Sequence, residues 1–260
     1  MAVSTSVEEM RSELSAAVIG AGPGLAGADE LCAACVRLFG VDGAAVSIVL
    51  EGSSRGTFGS SNELGRRLDE YQFTYGEGPC LDSVSSRGPV LVPDLDSPEE
   101  RRWPAFAGAV LGDGVRGVFA LPIMVTSACV GALDLFREGP GPLGSDQLTG
   151  AVLAAELASL PLLRLLTSDI IGSESTLDDK LMSEGEDAWG LLADMDRIEV
   201  YQATGMLISQ LDVGAPEALV RLRAHAMATE QTASEVARAI VERRLVLDRD
   251  DRFGLGRSQS

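Results

Sequence analysis

The stretch that decides the fold begins at Trp189 and reads WGLLADMDRIEVYQATGMLISQL as far as Leu211. Alternating steps of four and three residues place five positions in a narrow stripe along one side of a helix: Leu191, Met195, Ile198, Gln202 and Gly205. A stripe this narrow is typical of a coiled-coil seam rather than of a broad globular face. We therefore expect a homodimer with Leu191, Met195 and Ile198 in its seam.

Two shorter helices are predicted after this one. Gly214 and Pro216 mark the break, because proline suits the first turn of a helix. Thr232 and Glu235 have the spacing of a capping box at the start of the third helix. The positions predicted to face inward are Leu219, Leu222, Ala226, Ala233, Val236, Ala237 and Ile240, and those predicted to face away from the core are Arg221, His225 and Arg238. Arg223 is expected on the flank, where a structural role and a binding role are equally open.

The three helices resemble the ANTAR domain, a module that binds paired hairpin loops in nascent RNA and prevents a terminator from forming. The matching residues are Ala203, Gly205, Ala218, Leu222, Arg223, Ala226, Val236 and Ala237. Many members carry Lys between the first Ala and Gly, whereas this chain has Thr204. The resemblance implies an RNA-binding surface, for which the candidate residues are Arg197, Gln202, Ala203, Thr204, Gly205, Arg221, Arg223, His225 and Arg238.

Charge is distributed unevenly along the chain. The net charge of the 260 residues is −18, which argues against non-specific affinity for polyanions. Residues 168–199 carry ten acidic residues against two basic ones, a net of −8, whereas residues 219–246 carry a net of +2. The mildly basic segment thus coincides with the expected RNA surface. The acidic linker predicted at 167–186 either keeps the chain solvated or folds over the arginines of the C-terminal helices and competes with RNA.

The sequence before the linker alternates helices and strands in an order that predicts an α+β domain with an antiparallel sheet flanked by helices. The predicted organisation is a flexible lead at 1–26, a sensor domain at 27–166, an acidic linker at 167–186, the three helices at 187–248 and a disordered tail at 249–260.

The sensor region resembles a GAF domain, in particular the GAF domains that are coupled to ANTAR modules in actinobacterial regulators. The resemblance rests on Gln72 with Gly76-Glu-Gly-Pro-Cys80, on Val92-Pro-Asp-Leu95 with Trp103-Pro104, and on Leu121-Pro-Ile and Gly131-Ala-Leu-Asp-Leu-Phe. GAF domains sense small molecules, light or redox state, so the resemblance implies a sensor without naming its signal. Candidate residues of the sensor pocket are Gln72, Glu77, Cys80 and Trp103.

Cofactor motifs are largely missing. The N-K-x-F-D-E pattern of cyclic-nucleotide-binding members is absent, as is a phosphate-binding loop of the G-x-x-x-x-G-K type. Cys32 and Cys35 form a C-x-x-C, but a zinc site needs two further ligands at useful spacing, so we predict no metal and leave the ligand unknown. Cys80 either packs the turn after Pro79 or acts as a redox-sensitive thiol.

The sequence predicts a cytoplasmic regulator, since no apolar run is long enough to span a bilayer. The leading hypothesis is an RNA-binding antiterminator without enzymatic activity. One alternative is a thiol enzyme of the methionine-sulfoxide reductase type that uses Cys80 and Cys129. Another is a regulator whose C-terminal helices only dimerise.

Overall fold

A computed structural model of the protein describes residues 7–21, 24–50, 52–168, 185–248 and 257–258, with the side chains at 50, 53, 164–168, 185–196 and 257–258 left out. Most of the acidic linker, at 169–184, therefore lies outside the described residues, as do 249–256 and 259–260 of the tail. The seam residues Leu191 and Met195 lie in a described helix, but their side chains are outside the described set.

The N-terminal domain is built on a five-stranded antiparallel sheet in the order β2-β1-β5-β4-β3. Its strands are β1 (Gly43–Leu50), β2 (Ser53–Ser60), β3 (Val90–Val92), β4 (Gly117–Val125) and β5 (Ala128–Arg137). The helices are α1 (Val7–Gly20), α2 (Leu25–Phe39), α3 (Glu63–Tyr75), α4 (Pro79–Ser86), α5 (Pro104–Gly112) and α6 (Ser145–Ser168). The prediction of an α+β domain with an antiparallel sheet is confirmed.

Helices cover both faces of the sheet, because successive side chains of a strand point to opposite sides. Phe119, Leu121 and Ile123 of β4 pack into an apolar cluster with α1, α2 and α6. Val118 and Ala120 of the same strand pack into a second cluster with α3 and α5. A strand that is buried on both faces has a nearly continuous run of apolar residues. Such runs make β4 and β5 recognisable in the sequence.

Two helices of this domain differ from the sequence predictions. The lead, predicted to be flexible, carries α1, whose Met10, Leu14 and Val18 are buried in the cluster with α2 and α6. These three residues are four apart and so form one apolar stripe. The turn expected after Pro79 is instead the first turn of helix α4, which begins at Pro79 because proline is well placed in a first helical turn.

The C-terminal region contains α7 (Gly185–Leu211), α8 (Ala215–Ala228) and α9 (Ala233–Val241), followed by the short paired strands β6 (Leu245–Val246) and β7 (Arg257–Ser258). The predicted inner positions Leu222, Ala226 and Ile240 are buried in one apolar cluster. The capping box at α9 is confirmed: the Thr232 hydroxyl accepts from the Glu235 amide, and the Glu235 carboxylate accepts from the Thr232 amide.

The sequence predicts a continuous first C-terminal helix, but the observed helix α7 is interrupted. Arg197 has non-helical backbone angles, with φ −130° and ψ 26°, so α7 is kinked there.

Within the described part of the chain, no helix combines the length and apolarity that a membrane crossing would demand.

Candidate functional site

The C-terminal helices dock on α3 of the N-terminal domain. Phe73 of α3 is buried in the apolar cluster formed by α7, α8 and α9. Two guanidinium groups lie over its ring, with Cζ of Arg197 at 3.8 Å and Cζ of Arg223 at 4.3 Å from the ring centroid. Such contacts stabilise a cation against an aromatic face, more strongly when water is excluded. Helix α7 also packs along β2, an edge strand of the sheet.

Arg197 forms two ion pairs across this contact. Its Nη1 lies 2.6 Å from Oε2 of Glu70, and its Nη2 lies 2.9 Å from Oδ2 of Asp69. The side chain of Arg197 is 2% exposed and that of Asp69 is 1% exposed. Asp69 also accepts hydrogen bonds from the hydroxyls of Ser54 and Thr57, each at 2.9 Å. The kink in α7 thus occurs at the residue whose side chain enters the N-terminal domain.

The N-terminus of α9 is bound by the same face of α3. The Ser234 amide donates to Oε1 of Glu70 at 3.0 Å, and the Ala233 amide donates to the hydroxyl of Thr74 at 3.0 Å. The first amides of a helix have no partner inside the helix, and the helix dipole favours an anion near them. Glu70 therefore joins two positive groups of the C-terminal region, the guanidinium of Arg197 and the start of α9.

A second polar group, the Asp134 cluster, is buried inside the N-terminal domain and consists of Ser47, Gln72, Cys80 and Asp134. Gln72 donates through Nε2 to Oδ2 of Asp134 at 3.3 Å and accepts through Oε1 from the Cys80 amide at 2.8 Å. The Ser47 hydroxyl donates to the same Asp134 oxygen at 3.5 Å. Oδ1 of Asp134 is buried and has no hydrogen-bond partner among the described residues.

Burial dominates the acid–base behaviour of this cluster. It raises the pKa of Asp134 to about 7, with a further contribution from the nearby carboxylate of Asp69. Burial also raises the pKa of the Cys80 thiol well above its ordinary value, and Asp134 and Asp69 add to the effect. A thiol must lose its proton to act as a nucleophile, so Cys80 is held in an unreactive form.

The four predicted sensor residues do not all line one site. Gln72 and Cys80 meet in the Asp134 cluster. Glu77 instead caps α5, since its Oε1 accepts from the amides of Ala105 and Phe106. Trp103 is buried and donates through Nε1 to a carboxylate oxygen of Asp82 at 3.2 Å.

Gly78 is required by the geometry of the turn between α3 and α4. Its φ of 148° suits glycine, and a Cβ there would collide with the side chain of Gln72. The turn between α3 and α4 therefore passes close to the residue that holds Asp134 and Cys80.

The predicted RNA-binding residues divide into exposed and buried groups. Gln202, Gly205 and Arg238 are exposed, Arg221 and Arg223 are half-buried, and so is Thr204, whose hydroxyl donates to the carbonyl of Val200. Ala203 and Arg197 are buried. The expectation that His225 faces away from the core is wrong, since its side chain is only 3% exposed. Arg221 pairs with Glu217 on the same helix.

The cysteines are all reduced thiols in this structure, and Cys32 and Cys35 are buried in α2. Burial raises the pKa of both. Among the described residues, no group of His, Cys, Asp and Glu side chains is arranged to hold a metal ion.

Two family models match the chain. A GAF domain model matches residues 26–162, which is more than half of the sequence, and an ANTAR domain model matches residues 192–241. The chain belongs to the GAF family and carries an ANTAR domain. The α3 contact is therefore an interface between a GAF sensor domain and an ANTAR module, the architecture of a regulator. No curated protein matches the chain.

Several solved structures are similar to this chain at low sequence identity. The GAF domain of a phosphoenolpyruvate-protein phosphotransferase from Coxiella burnetii is 15% identical over 65% of this chain and 100% of its own, with a TM-score of 0.49. A free methionine-R-sulfoxide reductase from Neisseria meningitidis is 18% identical over 63% of this chain and 90% of its own, with a TM-score of 0.46. Similarity at this level carries no conclusion about activity.

Sequence reasoning missed the residues that join the two domains. Asp69, Glu70, Phe73 and Thr74 lie on one helix whose sequence shows only ordinary amphipathic spacing. Asp134 gave a clearer signal in the sequence, because it is a carboxylate within the apolar run of β5. In the structure this residue is only 2% exposed. A charge inside an apolar strand indicates a buried polar site, since an unpaired buried charge is costly.

Proposed function

We propose that this protein is a signal-responsive RNA-binding transcription antiterminator of the type found in actinobacterial regulators, acting in the cytoplasm. In this proposal the GAF domain senses a small molecule or a redox signal and controls the binding of the ANTAR module to two paired RNA hairpin loops. The observation that carries it is the ANTAR match at 192–241, which coincides with the three-helix module of α7, α8 and α9. ANTAR domains are RNA-binding domains, so the match names the ligand class.

The exposed residues of the module support an RNA surface. Arg238 and Gln202 are exposed, and the described residues show no ion pair for Arg238. A guanidinium can stack on a base and hold a phosphate through two hydrogen bonds. A Cβ at Gly205 would meet nothing within 4 Å, so packing within the described chain does not require a glycine there. A glycine at an exposed helical position is consistent with the close approach of another molecule.

The homodimer belongs to the same proposal. Ile198 and Tyr201, just after the kink in α7, are 50% and 42% exposed. Both lie on the side of the helix that carries Gln202 and Gly205. Two modules held together would meet two hairpins at once, and the second contact would then form at a high effective concentration.

Binding to a two-hairpin RNA, compared with a one-hairpin RNA over a salt series, tests the proposal. We expect tighter binding to the two-hairpin RNA and an affinity that falls with salt, because released counterions contribute to binding. Equal affinity for the two RNAs would contradict the paired-loop mechanism. Absence of binding to either RNA at low salt would favour a regulator whose C-terminal helices only dimerise.

The thiol enzyme is the weaker alternative. The burial and raised pKa of Cys80 do not favour it as a nucleophile, and burial also raises the pKa of Cys129. Incubation with free methionine sulfoxide and a thiol reductant tests this alternative directly. Turnover that disappears in Cys80→Ser would support the enzyme and contradict our proposal that the chain has no catalytic activity.

A further inference from the structure

Glu70 occupies a position where an anion is surrounded by positive groups of the ANTAR module. One of its carboxylate oxygens lies 2.6 Å from Nη1 of Arg197, and the other accepts from the Ser234 amide at the start of α9. Arg223 lies near the same place, over the ring of Phe73. A carboxylate that contacts a guanidinium and a helix N-terminus makes the contacts that a phosphate oxygen would make.

The positive groups belong to the ANTAR module, whereas the anion belongs to the GAF domain. Arg197, Arg223 and Ser234 all lie within residues 192–241, and Glu70 lies on α3. Val200, one turn after Arg197, is buried with Ala233 and Val236 of α9 in the core of the module. These contacts, made within the module, hold the kink of α7 beside the start of α9.

The Arg197 side chain provides an independent indication of a ligand site. It is 2% exposed, and its Nε is buried without a hydrogen-bond partner among the described residues. The Oγ of Ser234 is also buried without a partner there. Two donors without a partner among the described residues, Nε of Arg197 and Oγ of Ser234, therefore remain beside the carboxylate.

We propose that Arg197, Arg223 and the first amides of α9 form a phosphate-binding site for the RNA backbone, and that Glu70 fills this site when the GAF domain is docked. The inference rests on the proposed RNA-binding function. A phosphate and Glu70 cannot occupy the same donors, so RNA binding at this site and docking of α3 exclude each other. A signal that displaces α3 would free the site, and Gln72 on the same helix links α3 to the Asp134 cluster.

Glu70→Gln in the full chain tests the site, with Glu63→Gln as the matched control. Both substitutions remove one carboxylate from α3, but Glu63 is exposed in the first turn and makes none of these contacts. We expect Glu70→Gln to bind the two-hairpin RNA about tenfold more tightly than the wild type and Glu63→Gln to bind it equally well, because only the former removes the competing anion. Adding Arg197→Ala to Glu70→Gln should abolish the gain.

Amide hydrogen exchange at Ala233 and Ser234 gives a readout that does not depend on RNA. Exchange should be faster in Glu70→Gln than in the wild type and Glu63→Gln, and inorganic phosphate should slow it again relative to chloride at equal ionic strength. Thr74→Val, which removes the acceptor of the Ala233 amide, is a second variant that weakens docking without changing charge.

The outcomes separate this inference from the proposed function. Unchanged exchange at Ala233 and Ser234 in both Glu70→Gln and Thr74→Val would overturn the docking contact. Two results would overturn the phosphate site and leave the proposed function standing. One is equal RNA affinity in the wild type and Glu70→Gln. The other is a gain in RNA affinity in Glu70→Gln that persists when Arg197→Ala is added. RNA binding by none of the chains would overturn both.

Discussion

Arg197 and Asp69 form a buried ion pair between residues that are 128 positions apart in the chain, with Nη2 and Oδ2 2.9 Å apart. The pair joins the kink of α7 to the centre of α3, and both side chains are almost fully removed from solvent. Its carboxylate is also held by Ser54 and Thr57 of the edge strand β2. One guanidinium thus connects the ANTAR module to a helix and a strand of the GAF domain.

Arg197→Met is expected to lower the free energy of unfolding by about 3 kcal/mol, because breaking a buried pair leaves an uncompensated carboxylate in the interior. Chemical denaturation measures the loss. Arg221→Ala is the control, since its pair with Glu217 is exposed and spans one helical turn, and such pairs contribute about 0.5 kcal/mol or less. Equal losses in the two variants would show that the buried pair does not hold the domains together.

Asp134→Asn is expected to change the pH dependence of stability. The raised pKa of about 7 means that the folded protein keeps a proton between pH 4 and 7 that the unfolded chain has released. The contribution of Asp134 to the free energy of unfolding therefore falls as pH rises through this window and stays low above it. The neutral variant should gain a few kcal/mol relative to the wild type between pH 4 and 8, at about 1.4 kcal/mol per pKa unit.

Urea denaturation at several pH values measures this gain. Glu156→Gln, which removes an exposed carboxylate from α6, is the control. A constant stability difference between Asp134→Asn and the wild type across the window would mean that Asp134 is ionised inside the folded domain.

Thiol alkylation is expected to reach Cys129 before the other three cysteines. Cys129 is half-buried, whereas Cys32, Cys35 and Cys80 are buried. Mass-spectrometric mapping of a time course with iodoacetamide measures the order, and Cys129→Ser should remove the fast phase. If Cys80 were labelled as fast as Cys129, its thiol would be accessible, and redox sensing at Cys80 would become the stronger interpretation.

Gly205→Ala is expected to raise the stability of the fold and to weaken binding. Alanine in an exposed helix interior stabilises the fold by about 0.5–1 kcal/mol relative to glycine, and a Cβ has room at this position. We expect a higher melting temperature together with weaker dimerisation or weaker RNA binding, because the added methyl group obstructs a partner. Ser209→Ala, at another exposed position of α7, serves as the control. Unchanged affinity and oligomeric state would assign the glycine no role in binding.

Arg238→Ala is expected to weaken RNA binding and to reduce the slope of log affinity against log salt by about 1, since one phosphate contact would be lost. Fluorescence anisotropy over a salt series measures the slope. The fold should be unaffected because the Arg238 side chain is exposed. A drop in affinity with an unchanged slope would instead indicate contact with a base.

Local patterns in the sequence predicted most of the fold. The apolar runs of β4 and β5, the glycine after Phe39 that ends α2, and the capping box of Thr232 and Glu235 are features of neighbouring residues, so they can be read without the tertiary structure. The helix α4 and the extent of α1 were missed. The glycines and the proline before α4 are typical of a turn, and the glycines after α1 are typical of a flexible lead.

The sequence by itself determined the two domains, their order and the inward faces of the ANTAR helices, because hydrophobic periodicity and capping act over a few residues. Only the tertiary structure decided that Arg197 and His225 are buried and that Glu70 meets the start of α9. A helical wheel shows which side of a helix a residue is on. It does not show what covers that side. For Arg197 and the start of α9 the cover is α3, a helix more than a hundred residues earlier in the chain.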